Sequence, residues 1–162
     1  RLLLLDEPTA GVDPKARRDF WDQIHQLAAQ GITVLVSAHY MDEAERCHEL
    51  VYIAYGRVLA RGTESEIVAA AGLTVFEVVG PLDAARFDAL KAAPGVQSVA
   101  AFGSAVHVSG RDGALIEQAV APLAALPGVT VRRASANLED VFISLIGQAQ
   151  DNYASVPGAT KS

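Results

Sequence analysis

The 162-residue chain is 51% hydrophobic and 20% charged, enough apolar material for a core, and its length fits one domain or two small ones. A formal charge of -6 argues against a general nucleic-acid or anionic-lipid surface, which requires a basic patch, and no apolar run approaches the roughly 20 residues that span a bilayer. The single cysteine, Cys47, cannot form an internal disulfide and reads as a small apolar residue packed on a helix.

Leu2-Leu3-Leu4-Leu5 runs directly into Asp6-Glu7-Pro8-Thr9. A continuous apolar run predicts a strand buried on both faces, as in a parallel sheet covered by helices, and ligands bind at the carboxyl ends of such strands. Two adjacent carboxylates at that end are costly to desolvate without a cation, which a magnesium nucleotide supplies. The competing reading of Asp6-Glu7-Pro8 is a polar turn after a core strand. Asp13-Pro14 predicts a helix start, and Ala16, Phe20, Ile24, Leu27 and Ala28 recur on one face up to Gly31, which can end the helix in the left-handed conformation. A second strand, 32–37, leads to Ala38-His39, followed by an acidic helix from about Met41 to Cys47. Asp42, Glu43 and Glu45 there read as a solvated face, with contact to a partner as the competing reading. Val51–Tyr55 and Val58–Ala60 predict a strand pair turning at Gly56-Arg57, and Thr63 with Glu66 forms a capping-box pattern opening a helix that ends near Gly72.

Charge thins from about Leu73 onward. A strand over 74–79 precedes a helix capped by Asp83 with Phe87 and Leu90 on one face, and strands 96–102 and 105–109 flank Gly103-Ser104. Asp112 caps a helix that Pro122 should kink or split, and 129–133 is the last strand. The order β-α-β-β-α-β predicts a split βαβ, ferredoxin-like arrangement. Asn137 caps a closing helix, Leu138–Ile146, whose Val141, Phe142 and Leu145 form the expected contact with a second copy or with the first half. Residues 148–162 lack periodicity and read as a disordered tail. His25, His48 and His107 have no metal-ligand spacing, and Trp21, Tyr52 and Tyr55 read as core or edge packing.

Three ordered motifs carry a resemblance: Leu2–Thr9, then Ala10-Gly11-Val12-Asp13-Pro14, then Ser37-Ala38-His39-Tyr40-Met41-Asp42-Glu43-Ala44-Glu45. Over residues 1 to 72 the chain resembles the nucleotide-binding subunit of an ATP-binding-cassette (ABC) transporter, of the drug- and antibiotic-exporter type. The resemblance implies the carboxyl-terminal part of a P-loop NTPase sheet over 1–72. It implies that the P-loop, glutamine loop and signature sequence lie upstream, so the chain is expected to be the carboxyl-terminal fragment of a longer subunit. Residues 73–147, ending in Asn137-Leu138-Glu139-Asp140-Val141-Phe142, resemble the small accessory domain of such exporters.

By resemblance the cofactors are ATP and Mg2+. Asp6 holds magnesium through a water, Glu7 is the general base or water-orienting group, and His39 binds the γ-phosphate and holds Glu7. Asp13 belongs to the loop that crosses to a partner subunit, a role compatible with capping a helix. Ala38 stands where the family usually has Thr. The implied partners are a second copy of the subunit and membrane-embedded permease subunits, with no nucleic acid, at the cytoplasmic face of the cell membrane. Two other readings compete: a non-catalytic regulatory or dimerisation module, and a soluble ABC-type ATPase of DNA maintenance, which the absence of heptads disfavours.

Overall fold

A computed structural model describes residues 1–154, with side chains through Gln148. Its described residues divide into two units at His48/Glu49.

In the first unit, β1 (Leu2–Asp6) and β2 (Thr33–Ser37) pair in parallel, Leu2 opposite Thr33 and Asp6 opposite Ser37. Between them runs α1 (Pro14–Ala29), since parallel neighbours need a crossover. The Asp13 carboxylate accepts from the amides of Lys15 and Ala16, Pro14 occupies the first turn, and Gly31 follows at φ +83°. Its buried residues are Trp21 and Ile24, whereas Ala16, expected on the apolar face, is exposed. β1 is not covered on both sides: Leu2, Leu4 and Leu35 are more than 60% exposed, while α1 packs against β2. α2 is a single turn, Met41–Ala44, with Cys47 just beyond it rather than on it.

The second unit opens with the antiparallel hairpin β3 (Leu50–Ala54) and β4 (Arg57–Gly62), whose two-residue turn is Tyr55-Gly56, one position earlier than the sequence suggests. Both turn residues have positive φ, +53° and +70°, the type I′ requirement that matches strand twist. α3 (Glu64–Ala71) is closed by the predicted capping box at Thr63 and Glu66 and by Gly72 in the left-handed region. A four-stranded sheet follows in the order β6-β7-β5-β8, every neighbouring pair antiparallel, built from β5 (Thr74–Val79), β6 (Ser98–Phe102), β7 (Ala105–Gly110) and β8 (Thr130–Ala134). α4 (Ala84–Ala92) and α5 (Gly113–Val120) connect its strands. Pro122 splits the second connection into α5 and a 3₁₀ turn, Ala121–Ala125. Val78, Leu90, Val108, Ile116, Val120 and Leu123 form the core cluster.

α6 (Leu138–Ala154) continues past the expected end at Ile146, so 148–154 of the expected tail is helical, and 155–162 lies outside the described residues. Its Val141 and Phe142 are 1% and 5% exposed, so the face is covered, and Phe142 meets a residue of the 1–72 segment, the second of the two expected contacts. Phe142 stacks on Tyr52 at 4.1 Å and 15°, and α6 also packs on α3. This packing is why the hairpin and α3 group with residues 74–154 by contact, although the ABC-like resemblance extends to residue 72.

Candidate functional site

Parallel pairing in register brings the ends of β1 and β2 side by side, and the sequence-predicted residues gather there. Ser37, opposite Asp6, donates its hydroxyl to Asp6 Oδ1. The Glu7 amide donates to the Ser37 carbonyl at 3.1 Å and lies 3.0 Å from the Ser37 hydroxyl oxygen. One residue past the paired region, Glu7 adopts φ +43°. Non-glycine residues rarely enter the left-handed region, at a cost of about 1 kcal/mol or more, so neighbouring contacts must hold Glu7 there. That turn aims its carboxylate at His39, two residues beyond the end of β2, with Nδ1 3.5 Å from Oε1 and both side chains about half exposed.

Asp13 is the exposed cap of α1, its carboxylate taken up by the Lys15 and Ala16 amides. Glu7 thus meets His39 and its neighbour Asp6 meets Ser37, while the contacts of Asp13 are with its own helix. A shallow hollow of about 230 Å³, lined by Leu4, Leu5, Asp6, Leu35 and Ser37, opens beside the Asp6 carboxylate. Among the described residues no group of three or more His, Cys, Asp or Glu side chains could cage a metal. One carboxylate next to one hydroxyl instead suits Mg2+, which keeps several waters and takes one or two carboxylates together with substrate phosphates.

Sequence reasoning missed a layer behind this pair. Glu43 is not solvated: it is 1% exposed, and Thr9, also 1% exposed, donates its hydroxyl to Glu43 Oε1. Arg17 on α1 places Nε 3.6 Å from the same oxygen and Nη1 3.7 Å from Asp42. The Arg17 guanidinium carbon sits 4.7 Å from the centre of the Tyr40 ring, and that ring lies 4.1 Å from the His39 imidazole. Nothing local separates Glu43 from Asp42 or Glu45. Only the docking of the one-turn helix turns it inward. Cys47 Sγ lies 3.6 Å from the Glu43 carbonyl, and burial, reinforced by Glu43, pushes its thiol pKa up, in keeping with a packing role.

The remaining histidines make packing and hydrogen-bond contacts with other residues. His25 Nε2 is 3.0 Å from the Arg46 carbonyl, and His48 meets the His25 ring edge-on. In the second unit His107 Nδ1 contacts both oxygens of Asp140, at 3.0 and 3.3 Å.

No family model matches the chain. Curated relatives do: it is 39% identical, over 91% of its length, to the Nod factor export ATP-binding protein I of Burkholderia orbicola. Identity is 38% to the protein of that name from Paraburkholderia xenovorans and 39% to that from Ralstonia nicotianae, over the same share of the chain. The chain spans 47% of the length of each. The similarity runs through both units.

Proposed function

We propose that this homologue of ABC-transporter ATP-binding proteins contributes part of the hydrolytic site of a transporter ATPase that powers export of a small molecule. The observation that carries the reading is the strained Glu7, held at φ +43° where β1 ends, with its carboxylate 3.5 Å from His39. Glu7 accepts a hydrogen bond from the attacking water, orients it and takes up its proton. His39, with Nδ1 turned to Glu7, keeps Nε2 on the opposite side of the ring for a phosphate oxygen. Phosphoryl transfer asks the protein mainly for such positioning and for electrostatic stabilisation. Asp6 and Ser37 would hold Mg2+, largely through water, and the ion would neutralise charge on the phosphates.

The sequence contains no G-x-x-x-x-G-K-[ST] pattern, so ATP binding is assigned to the intact subunit, of the length its relatives have, and this chain alone neither binds nor hydrolyses ATP. Residues 1–72 form the cassette portion and 73–147 an accessory domain of ferredoxin-like fold, a reading supported by the antiparallel order β6-β7-β5-β8 with α4 and α5 as crossovers. Asp13 reports to a second copy of the subunit. Permease subunits in the membrane are the other partners, and the location is the cytoplasmic face of the membrane. In support, the relatives are named as ATP-binding proteins of export.

Glu7→Gln in the intact subunit tests the reading. It keeps shape and removes the charge, so turnover falls about 10² to 10⁴-fold while ATP binding persists. Near-normal hydrolysis removes Glu7 from the mechanism.

A further inference from the structure

We infer that Glu43 and Arg17 are positioning residues that set the geometry between Glu7 and His39, an inference that rests on reading that pair as the hydrolytic site. The pair does not hold itself: both side chains are about half exposed, and 3.5 Å is longer than a hydrogen bond. Two lines of contact lead to it from one buried carboxylate oxygen, Glu43 Oε1. The first passes through the Thr9 hydroxyl into the turn that follows β1, where the Ala10 amide donates to the Glu7 carbonyl and the Val12 amide to the Thr9 carbonyl, each at 3.1 Å. Pinning Thr9 therefore pins the backbone two residues after Glu7. The second passes through Arg17, whose guanidinium faces the Tyr40 ring, and Tyr40 lies against His39.

Buried carboxylates are retained only when paired, and Glu43 is 1% exposed. Arg17 Nε is buried without a hydrogen-bond partner, and at 3.6 Å from Glu43 its compensation is charge attraction. Loss of either member removes the charge attraction between them, leaving Glu43 to the Thr9 hydroxyl and Arg17 to Asp42 and the Tyr40 ring, and both lines slacken together. The arrangement makes one buried oxygen common to the two groups that must meet at the phosphate.

Two measurements test this. In the 162-residue chain, the His39 ring protons report the Tyr40 ring by nuclear magnetic resonance. Tyr40→Leu defines the shift for a lost stack. Arg17→Met and Glu43→Gln should move the His39 signals toward that position, and Arg17→Lys, which keeps the charge, should retain most of the original shift. His39 signals unchanged in both Arg17→Met and Glu43→Gln would overturn the inference. In the intact subunit, Glu43→Gln should lower kcat about 10-fold or more and leave KM for ATP within about twofold. Arg17→Met should add little to Glu43→Gln if one unit is being broken, whereas multiplicative losses refute a shared role. Thr9→Val cuts the first line alone and serves where Glu43→Gln does not fold. Glu7→Gln and His39→Ala run alongside: normal turnover in both sinks the hydrolytic reading, while the His39 spectra still decide whether Glu43 and Arg17 position that ring.

Discussion

Replacing Asp140 with Ala should cost the second unit about 3 kcal/mol, most of it through one hydrogen-bonded cluster. The Asp140 carboxylate is 2% exposed, accepts from the Asn137 amide at 3.0 Å, and contacts His107 Nδ1 at 3.0 and 3.3 Å. The Asp140 amide in turn donates to Asn137 Oδ1 at 2.8 Å, so the first turn of α6 is closed reciprocally while His107 ties it to β7. A lost capping contact is worth about 1 kcal/mol, and a buried hydrogen bond to a charged group about 1.5–3 kcal/mol. At roughly 4 °C per kcal/mol for a unit of this size, the thermal midpoint of the second unit falls about 12 °C. The double-mutant cycle with His107→Ala separates the pair from the cap. His107→Ala also loses the 4.4 Å ring contact with Phe102, but that term cancels in the cycle, leaving a coupling of about 1.5 kcal/mol. Urea unfolding followed by near-ultraviolet circular dichroism gives the four stabilities, and amide exchange shows whether the α6 amides open first. A coupling near zero, or equal protection of α6 in Asp140→Ala and the parent chain, would refute the claim that His107 fastens this helix.

Acid should act partly through Glu77: Arg132, its cross-strand neighbour, donates to the carboxylate and holds its pKa below the ordinary value. A lowered folded-state pKa stabilises at pH above the ordinary carboxyl range, and the contribution is lost as pH falls through the folded value. Between pH 7 and 3, urea midpoints of Glu77→Gln should therefore drop less than those of the parent chain, and parallel curves would discount the pair. Cys47, its thiol pKa raised by burial and by Glu43, should react with Ellman's reagent more slowly in the folded chain than after unfolding in urea. Equal rates would place the thiol at the surface.

Much of the architecture was legible locally because its causes are local. Asp13, Thr63 and Asp112 cap helices through their own side chains, Gly31 and Gly72 close helices because they tolerate positive φ, and Pro122 interrupts a helical run because its nitrogen has no hydrogen to donate to the preceding turn. The link between Glu7 and His39 was expected only through the family resemblance; what brings the two together is the parallel, in-register pairing of β1 with β2, a tertiary outcome. Other features needed partners far away in the chain. Leu2 and Leu4 look like doubly buried core residues, yet burial depends on what covers a sheet, and the face that carries them stays exposed. The Tyr55-Gly56 turn depends on strand register, which adjacent residues of similar β-propensity do not specify. Val141 and Phe142 were visible as an apolar face, but what the face meets, Tyr52 and α3, is a tertiary outcome. Glu43 shows the limit most clearly. Its neighbours Asp42 and Glu45 have the same chemistry, and only the approach of Thr9 and Arg17 from more than 25 residues away provides the donors that make its burial tolerable.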